Sequence, residues 1–324
     1  LLPIANALTD ADGFAVACMD EALALRHNGI TTSILVLEGG YDKLEWLAAV
    51  EHNIEMVLHH QSQLAILLTN SIFKQLTLWL KLDSGMNRLG FRLNETPSIL
   101  QQCQHAGLNI RVLMSHFSCA DDLSKDKTPQ QEQAFLNTCR PLLELSAKGN
   151  NPLLTSTNNS AAILAWDEIS NDISRPGIML YGSSPFLQDE ANSQALKPAM
   201  TLTSQIIATH TLHAGEGVGY GNNWVADKTT RVGVIAIGYG DGYPRSAPTG
   251  TPIWCNGKYL QTLGCVSMDM MCIDITDHDE IDIGAEIELW GEHINVNKVA
   301  ALCNTISYEL FCQLTPRVKR AYKN

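Results

Sequence analysis

The chain has 324 residues, with 22 Lys and Arg against 34 Asp and Glu and a formal net charge of −12. This acidic balance excludes nucleic acid and anionic membrane as principal partners, and no apolar run approaches the ~20 residues that span a bilayer. Hydrophobic residues at 45% and charged residues at 17% are ordinary for a globular protein, and the length suits one large domain or two. The opening Leu1-Leu2-Pro3-Ile4 lacks the basic start and long apolar stretch of a signal peptide. Nine cysteines are scattered without a C-x-x-C pair. Unpaired thiols in a reducing cytoplasm are expected, with neither disulfides nor bound zinc.

Short apolar runs alternate with amphipathic stretches in the first part of the chain. The strands expected are Ser33–Leu37, Glu55–Leu58, Leu78–Leu82, Ile110–Ser115, Leu153–Ser156 and Ile178–Tyr181. Helical spacing appears in Met19–His27, Leu44–Val50, Leu64–Leu68 and Glu132–Leu145. Strands separated by helices imply parallel pairing, in a doubly wound sheet or a (β/α)8 barrel. Past Lys197-Pro198 the pattern becomes strand-like: Thr201–Thr211, Thr230–Ile237, Pro252–Trp254, Val266–Thr276 and Glu286–Trp290, then a helix over Val296–Cys303. The division expected is an α/β domain over 1–197 and a β-rich domain over 198–324.

Several polar clusters interrupt this pattern. Lys81 lies inside an apolar run that continues through Asp83-Ser84-Gly85-Met86-Asn87-Arg88 to Phe91. Its charge must be paired or chemically altered, and a local ion pair with Asp83 is the simplest pairing. Arg175 precedes Pro176-Gly177-Ile178, and the exposed Gly177 and Ile178 amides suit an anion. Upstream, Asn158-Asn159-Ser160-Ala161-Ala162 reads as a helix start, capped by Asn or Ser. Tyr220 and Tyr239 sit among glycines in Gly217–Gly221 and Gly238–Arg245, an arrangement that is structural in most proteins. Ser267-Met268-Asp269-Met270 breaks a β segment, and Tyr308 falls in a final strand-like stretch.

In order and spacing, these motifs resemble the alanine racemases along almost the whole chain. The set is Lys81–Phe91, Met114-Ser115-His116-Phe117, Asn159-Ser160-Ala161-Ala162, Arg175–Gly182, Gly219-Tyr220-Gly221, Gly238–Arg245, Ser267-Met268-Asp269 and Tyr308. The resemblance implies a (β/α)8 barrel that binds pyridoxal 5'-phosphate, followed by a mostly-β domain. It also implies racemisation of alanine by two opposed bases in a homodimer with shared active sites. Arg175 would meet the pyridine nitrogen, which a guanidinium cannot readily protonate. Ser160, the Gly177 and Ile178 amides and Tyr308 would hold the phosphate, and Arg88 the phenolic oxygen and the substrate. Tyr220 would be a catalytic base supplied by the second subunit, linked to Arg175 through His116. Tyr239, Met268 and Asp269 would line the substrate entrance, and Lys81 corresponds to a lysine carbamylated in many members. Without the resemblance, His116 would read as a packed core histidine.

The family's cofactor lysine belongs to a Lys-Ala-Asn-Ala-Tyr-Gly-His-Gly-like motif on the first barrel strand. No such motif is found in the chain, so the first β/α unit is expected to be missing. The resemblance further implies D-alanine supply for peptidoglycan in a bacterial cytoplasm. The alternatives are a racemase of serine or lysine, and a catalytically dead truncated cofactor-barrel protein.

Overall fold

In the computed structural model, residues 1–149, 151–186 and 191–323 are described. Its residues group into two units, Leu1–Pro176 and Gly177–Asn324.

The first unit alternates helices and parallel strands. In order these are α1 (Leu2–Ala7), β1 (Gly13–Val16), α2 (Met19–His27), β2 (Ser33–Val36), α3 (Lys43–Glu51), β3 (Glu55–Leu58) and α4 (Gln61–Leu67). Next come β4 (Thr77–Asp83), β5 (Phe91–Arg92), α5 (Thr96–Ala106), β6 (Asn109–Met114), α6 (Lys127–Ser146), β7 (Leu154–Ser156) and α7 (Ser160–Ala165). The sheet order is β1-β2-β3-β4-β6-β7, with β5 beside β4, and every pairing is parallel.

The two-residue period of the strands sorts their side chains onto two faces. Ile34, Val36, Met56, Leu58, Leu78, Leu80, Leu82 and Leu113 pack with Leu25, Trp46, Leu64, Cys103 and Phe135 of the helices. Leu35, Val57, Trp79, Val112 and Met114 form a separate cluster on the other face. Lys81 follows Trp79 by two residues and pairs in register with Met114, so it continues this second face. Local caps fix the helix starts. Asp42 accepts from the Leu44 and Glu45 amides (2.8 and 3.1 Å) before α3, and Gly107, at φ +70°, ends α5.

The sheet is open among the described residues, with β1 and β7 at its edges. It is a parallel half-barrel, where the sequence led to an eight-stranded barrel lacking its first β/α unit. One expected strand, Ile178–Tyr181, is a 3₁₀ turn ended by Gly182 at φ +71°. Four apolar residues between two glycines suit either state, and here only Ile178 of the four is buried.

The second unit contains β8 (Leu202–Leu212), β9 (Gly217–Val218), β10 (Trp224–Val225), β11 (Thr230–Ile235), β12 (Pro252–Cys255), β13 (Lys258–Leu263), β14 (Met271–Asp274), β15 (Glu286–Trp290), α8 (Val296–Leu302) and α9 (Ser307–Gln313). Six of these strands close an antiparallel barrel in the order β11-β14-β13-β12-β15-β8. The eleven-residue β8 pairs with both β11 and β15 and so seals the ring. Ile206, Ile235, Ile253, Ile273, Ile287 and Leu289 fill its core. Tyr243 stacks on the buried Trp290, ring centroids 5.7 Å apart.

Within the expected strand Val266–Thr276, only Met271–Asp274 is extended and paired, which leaves 266–270 as a loop. Tyr308 lies in the first turn of α9, not in a strand. The stretch from Gly177 to Pro198 groups with the second unit. Its contacts show why: the Ser183 hydroxyl reaches Asn297 Oδ1 (2.6 Å) and Ser307 Oγ (2.7 Å).

Candidate active site

The C-terminal ends of β4, β6 and β7 gather the polar residues of the first unit. Asp83 ends β4 and organises the loop behind it. Its Oδ1 accepts from the Gly85 and Asn87 amides (3.0 and 2.9 Å), and Arg92 Nη1 donates to Oδ2 at 3.0 Å. Arg92 also donates to Asn87 Oδ1 at 2.7 Å. The partner of Asp83 is therefore Arg92 and not Lys81, which corrects the ion pair expected from the sequence. This clamp shapes the loop that carries Arg88. Asp83→Ala should cost about 1–3 kcal/mol by leaving two amides unsatisfied. Chemical denaturation checks this, and a change within a few tenths of a kcal/mol would refute it.

Lys81 is buried, and among the described residues no ion pair is made by it. Its pKa falls to about 8, first because burial penalises the ammonium and then because Arg175 and Arg88 repel it. The same neighbourhood acts on His116, two residues past β6. Burial first, then Arg175, Lys81 and Arg88, lower its pKa to about 3. The imidazole is thus neutral throughout the physiological range.

Arg175 is anchored on the same strand ends. Its guanidinium donates to the Ser156 hydroxyl, to the Ser115 carbonyl at 2.7 Å and to the Thr157 carbonyl at 3.4 Å. Ser115 is held in turn by the Leu82 carbonyl (2.9 Å), and Ser156 by the Ile173 carbonyl (2.6 Å). Burial lowers the Arg175 pKa to about 10, which still leaves it protonated. Ser160 begins α7, whose cap is Asn159, with Oδ1 accepting from the Ala162 amide at 3.0 Å. The structure thus gathers Lys81, Arg88, His116 and Arg175 in one electrostatic neighbourhood, with Ser160 buried at the start of the helix that follows β7.

The other expected residues lie in the second unit. Ile178 is in the 3₁₀ turn after Gly177. That turn leads to Ser183, which bonds Ser307 beside Tyr308, and Tyr181 meets the Phe311 ring at 6.1 Å. Tyr220 is 72% exposed at the tip of the β9–β10 hairpin, between Gly219 (φ +73°) and Gly221 (φ +76°). That hairpin packs on Cys265, whose sulfur accepts from Asn223 Nδ2 at 3.1 Å. Tyr239 and Met268 are neighbours: the Tyr239 amide donates to the Ser267 carbonyl (3.0 Å) and the Gly240 amide to the Met268 carbonyl (2.8 Å).

A family model described as "Alanine racemase, N-terminal domain" matches residues 1–185, and "Alanine racemase, C-terminal domain" matches residues 199–322. The chain belongs to the alanine racemase family. It is 44% identical over 321 residues to an alanine racemase of Shewanella woodyi, covering 98% of this chain and 87% of that protein. It is 45% identical over 314 residues to one of Pseudomonas taetrolens, covering 97% and 85%. Among solved structures it resembles the biosynthetic alanine racemase of Pseudomonas aeruginosa, with TM-score 0.90, 39% identity and coverage of 98% and 86%. The alanine racemase of Acinetobacter baumannii gives TM-score 0.88 and 40% identity, covering 96% and 85%.

Against the family's motif residues, the geometry adds the positions that hold them. Arg92, Ser115 and Ser156 anchor the Arg88 loop and Arg175. Ser115 stands inside the Met114-Ser115-His116-Phe117 motif, but its task of holding an arginine through its carbonyl leaves no side-chain signature. His59, just after β3, carries no motif. Its Nε2 lies 2.9 Å from the Glu38 carbonyl and 3.1 Å from Gln63 Nε2, which donates to the same carbonyl at 3.1 Å. Its only sequence signal is a histidine at the end of an apolar strand.

Proposed function

We propose that this protein interconverts L- and D-alanine, using pyridoxal 5'-phosphate and two opposed bases. The observation that carries the reading, beside family membership, is the group Lys81, Arg88 and Arg175. Among the described residues no carboxylate is ion-paired with any of them, in a chain of net charge −12. Cations without counter-charge suit a phosphorylated ring bearing a phenolate, so the donor set fits the cofactor.

In this reading Arg175 meets the pyridine nitrogen, Arg88 the phenolic oxygen and the substrate, and Ser160, Gly177, Ile178 and Tyr308 the phosphate. The cofactor, when bound, delocalises the electron pair left at Cα as its proton departs. Arg175 keeps its own proton and so limits that delocalisation, which favours return of the proton to Cα over transamination. Tyr220, supplied by a second copy of the chain, holds or takes the Cα proton on one face. An ordinary phenol has a pKa near ~10 and needs support as a base. The neutral His116 ring supplies it by linking the phenol to the Arg175 cation. Tyr239, Met268 and Asp269 narrow the entrance toward a methyl side chain. No helix among the described residues is long and apolar enough to cross a membrane. The reading places the enzyme in a bacterial cytoplasm, supplying D-alanine for peptidoglycan.

The test is to add pyridoxal phosphate to the purified protein, reduce with borohydride, map any modified lysine and assay alanine racemisation. In protein that carries the family's lysine motif, a unique adduct at that lysine with racemisation of alanine above serine and lysine is expected. Cofactor binding without racemisation of any amino acid would overturn the reading.

The Lys81 amine is the candidate for carbamylation. As free amine it attacks the carbon of CO2, the displaced π pair moves to oxygen, and the nitrogen gives a proton to water. The resulting anion would position Arg88. The lowered pKa also sets a pH dependence. Between the folded value of about 8 and the ordinary 10.5, the unfolded chain binds the extra proton. Stability therefore rises with pH through that window, and the penalty is complete below it. In CO2-free buffer the advantage of Lys81→Met over wild type should shrink by on the order of 2–3 kcal/mol across the window. Denaturation curves at both ends check this, and a constant difference would sink it.

A further inference from the structure

We propose that Arg317 is a positioning residue for the substrate entrance, acting through Asp241 and Asp269. The proposal rests on the reading that Tyr239, Met268 and Asp269 line that entrance.

After α9 the chain does not wander off but is stitched to the glycine-rich loop at 238–243. The Thr315 amide donates to the Asp241 carbonyl at 3.0 Å, and its hydroxyl to the Gly240 carbonyl at 3.0 Å. Arg317 then spreads its fork across two loops. Nε lies 3.2 Å from Asp241 Oδ1, and Nη2 donates to Asp269 Oδ1 at 2.8 Å. The second oxygen of Asp241 accepts from the Gly238 amide at 3.0 Å. One guanidinium thereby fixes both ends of the pair of loops that present Tyr239 and Met268.

Two glycines record how closely this strap lies on the loop. A Cβ on Gly240 would stand 2.4 Å from Arg317 Nη1, and one on Gly242, at φ +100°, only 2.3 Å from the Gln313 carbonyl. An isolated exposed ion pair contributes little. Here one of the two carboxylates, Asp241, is only 14% exposed, and a planar fork satisfies both where an ammonium acts as a point charge. Without Arg317 the carboxylates of Asp241 and Asp269 would repel each other. The 267–270 loop would move off the 238–243 loop, and the entrance residues would lose their register.

The experiment compares wild type with Arg317→Gln and Arg317→Lys by hydrogen–deuterium exchange, together with KM and kcat for alanine in the cofactor-loaded enzyme. Arg317→Gln should speed exchange at the Tyr239 and Gly240 amides about tenfold and leave β11 and β15 unchanged. KM should rise about tenfold with kcat within about twofold, and Arg317→Lys should recover most of the loss. Adding Asp269→Asn to Arg317→Gln removes the repulsion and should slow exchange again. Unchanged exchange in Arg317→Gln overturns the proposal at the clamp itself. Faster exchange with KM unaltered in both Arg317→Gln and Met268→Ala overturns it through the entrance reading. A Lys variant no better than Gln also counts against it.

Discussion

Tyr220→Phe should lower alanine racemisation by roughly 10²–10⁴-fold in both directions, the usual worth of a positioned general base. The phenol stands 72% exposed on a short glycine-flanked hairpin, so removing one oxygen leaves the fold and the packing on Cys265 intact. A two-base reaction makes a sharper claim than lost turnover. With one base gone, the enantiomer whose Cα–H faces the surviving base should still exchange that proton with solvent, while its mirror image should not. Proton exchange of each enantiomer in deuterated water, followed separately by NMR, measures this. Symmetric loss of exchange would show that Tyr220 does not serve one face alone, and undiminished racemisation would remove it from the reaction.

Arg175→Ala should be the most damaging change in the first unit. It strips donors from the Ser115 and Thr157 carbonyls and from the Ser156 hydroxyl, all on buried residues. A loss of roughly 2–4 kcal/mol follows from leaving such acceptors unsatisfied. Pyridoxal phosphate affinity should fall as well, because the cation proposed to meet the ring nitrogen is gone. Arg175→Lys keeps the charge but not the fork, so affinity should recover further than stability does. Thermal unfolding with and without cofactor, and titration by cofactor absorbance, separate the two effects. An alanine variant as stable as wild type would show that these hydrogen bonds do not anchor the strand ends.

Much of this architecture was legible residue by residue. Glu55–Leu58, Met19–His27 and Glu286–Trp290 occur as read from periodicity alone. What was missed shares a physical cause. Gly13–Val16 and Lys258–Leu263 are strands whose pairing partners, not their composition, make them so. Ile178–Tyr181 and Tyr308 read as extended because short apolar stretches do not distinguish strand from helical turn. The Thr96–Ala106 helix carries Gln, His and Cys between its buried Ile99, Leu100 and Cys103, a stripe too thin to register. In the site, Lys81 and Arg175 were legible as types, because a cation in or beside apolar sequence demands a reason, whereas His116 came only with the family resemblance. Their anchors were not. Ser115 and Ser156 hold Arg175, and Arg92 takes Asp83 away from Lys81, through contacts that only the folded register creates. The closure of the second unit into a ring was equally hidden, since it depends on β8 pairing along both its edges.

The surroundings of His116 bear on how the enzyme's rate curve should be interpreted. An imidazole with a pKa of about 3 does not gain a proton anywhere that the folded chain is expected to work. The acidic limb of a bell-shaped profile, so often credited to histidine because free imidazole titrates near ~6.5, is then not expected to come from His116. A profile whose lower inflection stays fixed in His116→Asn, while its height drops, would be the kinetic trace of a relay that works without ever changing charge.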